Sequence, residues 1–178
     1  MLTEKTELDG IIILEPIVYY DNRGSFYESF NTQTFKEDTG MDVTFVQDNH
    51  STSFKGVVRG LHYQNPHMQG KLIRVTRGTI YDVVVDIRKD SVTFGKWISV
   101  ELSAENRKQL WIPPGFAHGF QALTDVVEFN YKVTDYRYKE CEQSIRWNDP
   151  TLNIQWPLHN SILSEKDDIS PLFTEIDF

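Results

Sequence analysis

The sequence predicts an all-β fold, a barrel or sandwich of short strands with a few short peripheral helices. Three observations lead to this prediction: β-rich runs recur along the chain, Gly, Pro and Asn turns separate them, and helix signals are few. The 178 residues contain no low-complexity linker, internal repeat or break in composition. We therefore expect one domain over residues 1–178, long enough to bury a sizeable core.

The clearest strand candidate is the segment 79–88, which follows Gly78. Its odd-numbered residues 81–87 are aromatic or aliphatic, so they share one face at the period of two that a strand requires. Residues 11–20 are also apolar and β-branched, but Pro16 interrupts them. The remaining strand candidates are residues 44–47, 57–63, 71–75, 97–102, 109–112, 116–123 and 126–133.

Two short helices are predicted. Residues 31–38 form the first candidate, and Gly40 stops it. A tail helix or turn is expected to start at Ser164, because residues 164–167 have the form of a capping box. Pro171 ends this second segment.

Composition limits the possible partners. The formal net charge of −8 argues against a general nucleic-acid or anionic-membrane partner, although local Arg and Lys clusters still permit an anionic small ligand. No apolar run approaches the length of a membrane span. The lone cysteine, Cys141, cannot form an intrachain disulfide, and the N-terminus lacks a signal-peptide pattern. These features favour a reducing compartment, and we expect a cytoplasmic protein.

Two glycine-flanked histidines are the most informative feature of the chain. The segment 113–118 fits the Pro-x-Gly-x-x-His pattern that carries a metal-ligand histidine in cupin barrels. Such barrels usually have a second pattern, His-x-His, which supplies two more ligands. Here His62 matches its first histidine, but Gln64 occupies the position of the second. A catalytic divalent metal usually needs three or four His, Cys or carboxylate ligands. The chain therefore resembles a cupin-type jelly-roll β-barrel that has lost its metal. We expect no cofactor, and His62 would be free to act as a base.

Arg59 and His62 lie close in sequence within a crowded polar stretch. Burying several polar groups in neighbouring strands is costly unless they have a purpose. In an unbroken strand the two side chains would face opposite sides. A bulge at Gly60 would bring both into one pocket.

Four other residues have both an ordinary and a functional interpretation. Lys71 is either a solvated strand lysine or a fixed cation that stabilises an oxyanion. Tyr131 is either a core residue or an acid facing the base. Asp167 is either a capping carboxylate or the partner that orients His62. Arg23 is either a turn residue or a phosphate ligand.

Taken in order, the motifs of the chain resemble those of the dTDP-4-dehydrorhamnose 3,5-epimerase family, from about Ile13 to Leu172. The matching segments are DNRG (21–24), FVQDNHS (45–51), RGLHYQ (59–64), DVVVDIR (82–88), LSAEN (102–106), WIP (111–113), GFAHGF (115–120), WNDP (147–150) and LSEKD (163–167). So many ordered matches are far more specific than any one of them alone.

The resemblance implies a metal-free homodimeric enzyme with a cupin-type jelly roll. Its substrate would be a dTDP-4-keto-6-deoxyhexose, epimerised at C3 and C5 through an enolate in dTDP-L-rhamnose biosynthesis. The family's base corresponds to His62, its supporting aspartate to Asp167, its enolate-stabilising lysine to Lys71 and its acid to Tyr131. The substrate contacts implied are Arg23, Glu28, Gln47, Asn49, Arg59, Lys71, His118, Glu142 and Lys166. Some of these contacts are expected to cross the dimer interface, with the N-terminal segment as donor.

One departure and three alternatives remain open. The family often has paired tyrosines after the acid-bearing strand, whereas this chain has Tyr136-Arg137-Tyr138, which bears on the fit around the nucleotide or sugar. The first alternative is a related epimerase acting at C3 or C5 alone. The others are a metal-dependent cupin enzyme using His62, His118 and further Glu or Gln ligands, and a non-catalytic sugar-nucleotide-binding module.

Overall fold

Two antiparallel sheets lie face to face in the computed structural model, which describes all of residues 1–178. The strands are β1 (Leu2–Lys5), β2 (Ile12–Glu15), β3 (Tyr19–Asp21), β4 (Gly24–Phe26), β5 (Gln47–Phe54), β6 (Val58–Gln64), β7 (Lys71–Arg77), β8 (Thr79–Asp86), β9 (Trp97–Ser103), β10 (Gln109–Ile112), β11 (Phe116–Ala122), β12 (Val126–Val133) and β13 (Glu142–Ser144). One sheet has the order β1-β2-β10-β7-β12-β5, and the other has the order β13-β6-β11-β8-β9. Strands β3 and β4 form a separate hairpin. The all-β prediction is confirmed, with two facing sheets rather than one continuous closed barrel.

The main core fills the space between the two sheets. Ile73 and Phe129 enter it from the six-stranded sheet, and Val84 and Phe120 enter it from the five-stranded sheet. All four side chains are almost completely buried. Burial of apolar surface at roughly 25 cal/mol per Å² makes this layer the main attractive contribution to folding.

The outer faces of both sheets are covered as well. Alternation along β8 sends Val83 and Val85 to the outer side, where the C-terminal segment packs on them through Ile154 and Phe173. The predicted period-two face of this strand is therefore real, and its other face is buried in the main core. On the six-stranded sheet, Phe35 covers the outer side.

Two predicted helices are present. Helix α1 (Thr32–Thr39) begins at the N-cap Asn31, whose side chain accepts two backbone N–H groups, and ends at Gly40 with a positive φ of 73°. Helix α2 (Glu165–Asp168) is a single turn capped by the Ser164 side chain. Two 3₁₀ turns, Lys139–Cys141 and Phe173–Glu175, complete the helical segments. None of these helices has the length and apolar character needed to cross a bilayer.

The predicted strand 44–47 is wrong except at its last residue. Phe45 does not pair in a sheet but packs edge-on against Phe30, Phe35 and Trp111. The ladder begins only at Gln47, and the strand continues to Phe54 through residues that are mostly polar. Phe45 in the predicted strand thus belongs to an aromatic cluster beneath α1. The neighbouring strand β5 is not predicted from the sequence because most of its residues are polar.

Candidate active site

A cavity of about 590 Å³ is lined by side chains from both sheets and from the segment around α2. Every site residue expected from the sequence lines this cavity except two in the N-terminal region. The cavity residues from that set are Gln47, Asn49, Arg59, His62, Lys71, His118, Tyr131, Glu142, Lys166 and Asp167. Residues spread over 120 positions of sequence therefore meet in one place.

The expected irregularity at Gly60 is present in β6. Its φ is +133°, and a Cβ there would lie 2.4 Å from the Cα of Gly119 on the neighbouring strand β11. The pairing register of β11 with β6 shifts at this point, between His118 and Phe120. As a result, Arg59 and His62 both face the cavity.

His62 forms a short contact with a buried carboxylate. Its Nε2 lies 2.6 Å from Oδ1 of Asp167, while the His62 side chain keeps 41% of its surface exposed to the cavity. Burial raises the pKa of Asp167, but hydrogen bonds from His62, Ser164 and the Gly60 backbone outweigh it and leave that pKa below its usual value. An ionised Asp167 can therefore orient the imidazole and stabilise its protonated form.

Lys71, the first residue of β7, brings an ammonium into the same region. Its Nζ donates to the His62 carbonyl oxygen at 3.3 Å, and the residue is buried. Burial lowers the pKa of Lys71 to about 8, although the nearby Asp82 carboxylate raises it in part. The ammonium is thus a poorly hydrated cation, well suited to stabilise a developing oxyanion.

His118 on β11 is held by a second carboxylate. Its Nε2 lies 2.8 Å from Oδ2 of Asp82, and both side chains are buried. Burial lowers the pKa of His118 and raises that of Asp82. His118 is directly opposite His62 in the β11–β6 ladder, so the two imidazoles lie on neighbouring strands of one sheet.

Tyr131 approaches the cavity from the other sheet. It lies on β12, between Asn49 of β5 and Ile73 of β7. Burial raises the pKa of its phenol, the Glu142 carboxylate adds to this shift, and Arg137 and Arg59 oppose it in part, so the group is protonated at neutral pH. A ring bound in this cavity would therefore have an imidazole from one sheet and a phenol from the other.

Polar groups for an anionic ligand line the rest of the cavity. The Arg59 guanidinium donates to Ser53 Oγ at 2.9 Å, which fixes its direction. Gln47 donates to Asn49 Oδ1 at 2.7 Å along the polar strand β5.

The Glu142 carboxylate accepts from Arg137 at 2.6 Å and from Lys166 at 3.2 Å. Sequence reasoning did not include Arg137 among the site residues. The available signal was its position in the turn after the strand that carries Tyr131.

Arg23 and Glu28 are the two expected site residues that lie outside this cavity. Arg23 is in the β3–β4 turn, 85% exposed, and pairs with Asp21 at 2.6 Å. Glu28 accepts hydrogen bonds from Asn31 and Thr34 at the start of α1. Within a single chain, neither residue contributes to the site.

The position that completes a metal site in other cupins has a different use here. Gln64 Nε2 donates to the carbonyl oxygens of His67 and Tyr136, and its Oε1 accepts from the Tyr138 N–H. The amide is therefore committed to backbone groups. No three His, Cys, Asp or Glu side chains lie close enough together to hold a metal ion.

Comparisons with known proteins agree with this geometry. A family model described as dTDP-4-dehydrorhamnose 3,5-epimerase matches residues 5–175. The dTDP-4-dehydrorhamnose 3,5-epimerase of Shigella flexneri is 54% identical over 175 residues, covering 98% of this chain and 97% of that protein.

Solved structures are also similar to this chain. The dTDP-6-deoxy-D-glucose-3,5-epimerase of Legionella pneumophila, crystallised with dTDP-4-keto-L-rhamnose, has 50% identity and a TM-score of 0.96 over 98% of this chain and 94% of that one. A 3′-monoepimerase from Streptomyces bikiniensis in complex with dTDP-quinovose has 33% identity and a TM-score of 0.90, covering 95% and 86%.

These matches extend over nearly the whole chain, and they confirm the expected cupin-type jelly roll as well as the resemblance carried by the motifs. The chain belongs to the dTDP-4-dehydrorhamnose 3,5-epimerase family.

Proposed function

We propose that this protein is a dTDP-4-dehydrorhamnose 3,5-epimerase. It inverts C3 and C5 of dTDP-4-dehydro-6-deoxy-D-glucose, a step of dTDP-L-rhamnose biosynthesis. The observation that carries the proposal is the placement of His62, which is paired with Asp167, and of Tyr131 on facing sheets of one cavity. Epimerisation needs this arrangement, because a proton must leave one face of the sugar and return to the other.

Each step follows from the chemistry of these groups. The C4 ketone acidifies the protons on C3 and C5. His62 removes one of them, and its new positive charge is stabilised by the buried carboxylate 2.6 Å away. The Lys71 ammonium stabilises the enolate oxygen, since it is already stripped of most of its water. Tyr131 then donates its phenolic proton from the opposite side, which inverts the centre.

Both catalytic groups must be reset before the second inversion. After the first one, His62 holds an extra proton and Tyr131 lacks one. Exchange with solvent restores both groups, and the exposed part of His62 offers the route. This requirement predicts that solvent hydrogen enters the sugar at each inverted carbon.

The reaction proceeds without a metal in this proposal. Support comes from the donor set, because the Gln64 amide, at the position of the usual second histidine, is engaged with three backbone groups. The enolate is instead stabilised by Lys71. The metal-dependent cupin alternative would need a third ligand beside His62 and His118, and no third His, Cys, Asp or Glu side chain lies close enough to supply one.

A homodimer is part of the proposal. Tyr19, Tyr20 and Phe26 of the β3–β4 hairpin are exposed, and large exposed apolar side chains of this kind mark interaction surfaces. The same segment carries Arg23 and Glu28, which lie outside the cavity of their own chain. We infer that this hairpin docks on a second copy and delivers these two residues to the partner's site. The unpaired, buried Cys141 supports placing the enzyme in the cytoplasm.

A second candidate function is epimerisation at one carbon only. The similarity to the Streptomyces bikiniensis 3′-monoepimerase favours keeping it, because that protein shares the fold at 33% identity. The same base and acid would serve both reactions. The difference would be in how the ring reorients between the two inversions.

Deuterium incorporation separates these functions. Purified enzyme, treated exhaustively with a chelator, is incubated with dTDP-4-keto-6-deoxyglucose in heavy water, and the label is located by NMR. We expect deuterium at both C3 and C5 with inversion at each. Label at one carbon alone would identify a monoepimerase, and turnover that returns only when iron, zinc or manganese is added would contradict the metal-free mechanism. Binding without label would indicate a non-catalytic module.

A further inference from the structure

Arg137 is a cavity residue that no motif explains, although long-range hydrogen bonds hold the backbone on both sides of it. The buried Gln64 amide holds the backbone on both sides of it, donating to the Tyr136 carbonyl at 3.1 Å and accepting from the Tyr138 N–H at 2.8 Å. The Tyr138 ring also stacks on His67 with centroids 4.3 Å apart. The guanidinium therefore extends from a rigid turn, although its own side chain is 62% exposed.

The direction of this side chain is set by a shared carboxylate. Glu142 accepts from Arg137 Nε at 2.6 Å through one oxygen and from Lys166 Nζ at 3.2 Å through the other. The hydrogen bond from Arg137 is the main reason that the pKa of Glu142 lies below its usual value. One carboxylate cannot neutralise two cations, so this trio keeps a net positive charge on the cavity wall.

The charge of this wall contrasts with that of the whole molecule. The chain has a net charge of −8, yet four cations line the cavity against two carboxylates. A local positive field in an acidic protein is suited to a small anion rather than to a polyanion. The guanidinium also keeps free N–H donors beyond the single bond that its Nε makes with Glu142.

We propose that Arg137 binds the diphosphate of the sugar nucleotide, together with Lys166, and that Glu142 holds the two cations in position when no ligand is bound. The inference rests on the proposed function and adds to it the residue that recognises the anionic part of the substrate. Guanidinium geometry matches phosphate oxygens, and the donors are positioned before binding. The family's usual tyrosine at this turn would supply a ring instead of a charge.

The test measures binding of dTDP and of thymidine, which differ only in the diphosphate. Calorimetry is used for dTDP and NMR titration for thymidine, with wild type, Arg137→Met and Arg137→Lys, at several salt concentrations. The matched control is Arg77→Met, because Arg77 is 63% exposed, pairs with Glu128 and lies outside the cavity. Thermal unfolding of each variant checks that the fold is intact.

We expect Arg137→Met to weaken dTDP binding at least about tenfold, the scale of one lost hydrogen bond to a charged group. Thymidine binding should stay unchanged, Arg137→Lys should fall in between, and the dependence of dTDP affinity on salt should become shallower. Arg77→Met should bind dTDP as the wild type does.

Two results would overturn the assignment: unchanged dTDP affinity in Arg137→Met, or equal weakening of dTDP and thymidine, which would mean that Arg137 stacks on the base. A wild-type protein that fails to bind dTDP would instead contradict the proposed function.

Discussion

Burial and pairing at single residues determine which groups of this site can exchange protons. Asp167 is buried yet remains ionised, because His62, the Ser164 hydroxyl and the Gly60 backbone all interact with its carboxylate. His62 keeps part of its surface open to the cavity and can reach a ligand. Lys71 is the opposite case, a buried cation with few partners, whose ammonium is therefore easier to deprotonate. The proposed base, His62, thus has a fixed negative charge beside it, while the charge of Lys71, the proposed stabiliser of the enolate, depends on pH.

Lys71 should impose an upper pH limit on the reaction. Its pKa is lowered to about 8 by burial, with Asp82 opposing the shift and the two imidazoles His62 and His118 nearby. Because the enolate needs the charged ammonium, kcat/KM is expected to fall as pH rises through about 8 and to stay level just below it. A pH–rate profile checks this limb.

The matched variant is Lys71→Arg, whose guanidinium stays protonated across this range. Whatever activity it retains should continue to higher pH without the decline near 8. A decline at the same pH in Lys71→Arg would show that another group titrates there.

At the level of elements, one bulge in β6 makes the site possible. Without the register shift opposite Gly60, Arg59 and His62 would point to opposite sides of the sheet. Gly60 and Gly119 must both lack a Cβ, since their backbones approach within van der Waals contact of each other.

Substitution of Gly60 by alanine should therefore be severe. The added Cβ would lie 2.4 Å from Gly119 Cα, at a φ of +133°. We expect Gly60→Ala to lower the free energy of unfolding by more than about 2 kcal/mol, because backbone strain and a backbone clash add together. Urea denaturation measures the loss.

Gly24→Ala is the control, since Gly24 has nearly the same φ of +132° and a Cβ added there would meet no atom within 4 Å. Gly24→Ala introduces the backbone strain without the steric clash, so it should lower the free energy of unfolding clearly less than Gly60→Ala does. Equal costs for the two variants would mean that the close approach of β6 and β11 contributes nothing.

The strands that sequence reasoning found are those whose apolar alternation reflects burial. Strands β10 and β12 are predicted with their observed limits and β8 nearly so, because β8 and β10 are mostly buried on both faces and alternate residues of β12, namely Val127, Phe129 and Val133, are buried. Strand β5 was missed because its inward side chains line the cavity and are polar. Because these side chains of β5 are polar, the strand lacks the apolar alternation that usually predicts a strand.

The same limit applies to the site. The motifs are sufficient to propose a base, an acid and a cation, and the three residues proposed, His62, Tyr131 and Lys71, all line one cavity. The sequence marks Arg137 only as a departure from the family's paired tyrosines. It does not show the hydrogen bonds from Gln64, more than 70 residues earlier in the chain, that hold the backbone around Arg137. Long-range hydrogen bonds of this kind leave no periodic pattern in the sequence.

For the molecule as a whole, the proposed dimer explains why two expected ligand residues lie outside the cavity. Arg23 and Glu28 belong to an N-terminal segment that exposes Tyr19, Tyr20 and Phe26, although the Tyr20 hydroxyl accepts a hydrogen bond from Arg107. If the segment docks on a second copy, each active site contains residues from both subunits.

Mixing two inactive variants tests this arrangement. Arg23→Ala and His62→Ala should each be nearly inactive alone. After denaturation and refolding together, half of the dimers are mixed, and each mixed dimer has one site with both residues intact. Activity should return to about a quarter of the wild-type value if Arg23 acts on the partner's site. No recovery, in a mixture shown by sedimentation to be dimeric, would assign Arg23 to the site of its own subunit, and full activity of Arg23→Ala alone would assign it to no site.

The central claim is that His62 takes the substrate proton and Tyr131 returns one from the opposite side. The most direct test follows hydrogen exchange at C3 and C5 in heavy water together with inversion. In His62→Ala, both exchange and inversion should fall by roughly 10²–10⁴-fold, the usual contribution of a general base. In Tyr131→Phe, exchange should persist while inversion is lost, because the base can return a proton to the face it came from. Exchange at the wild-type rate in His62→Ala would contradict the account.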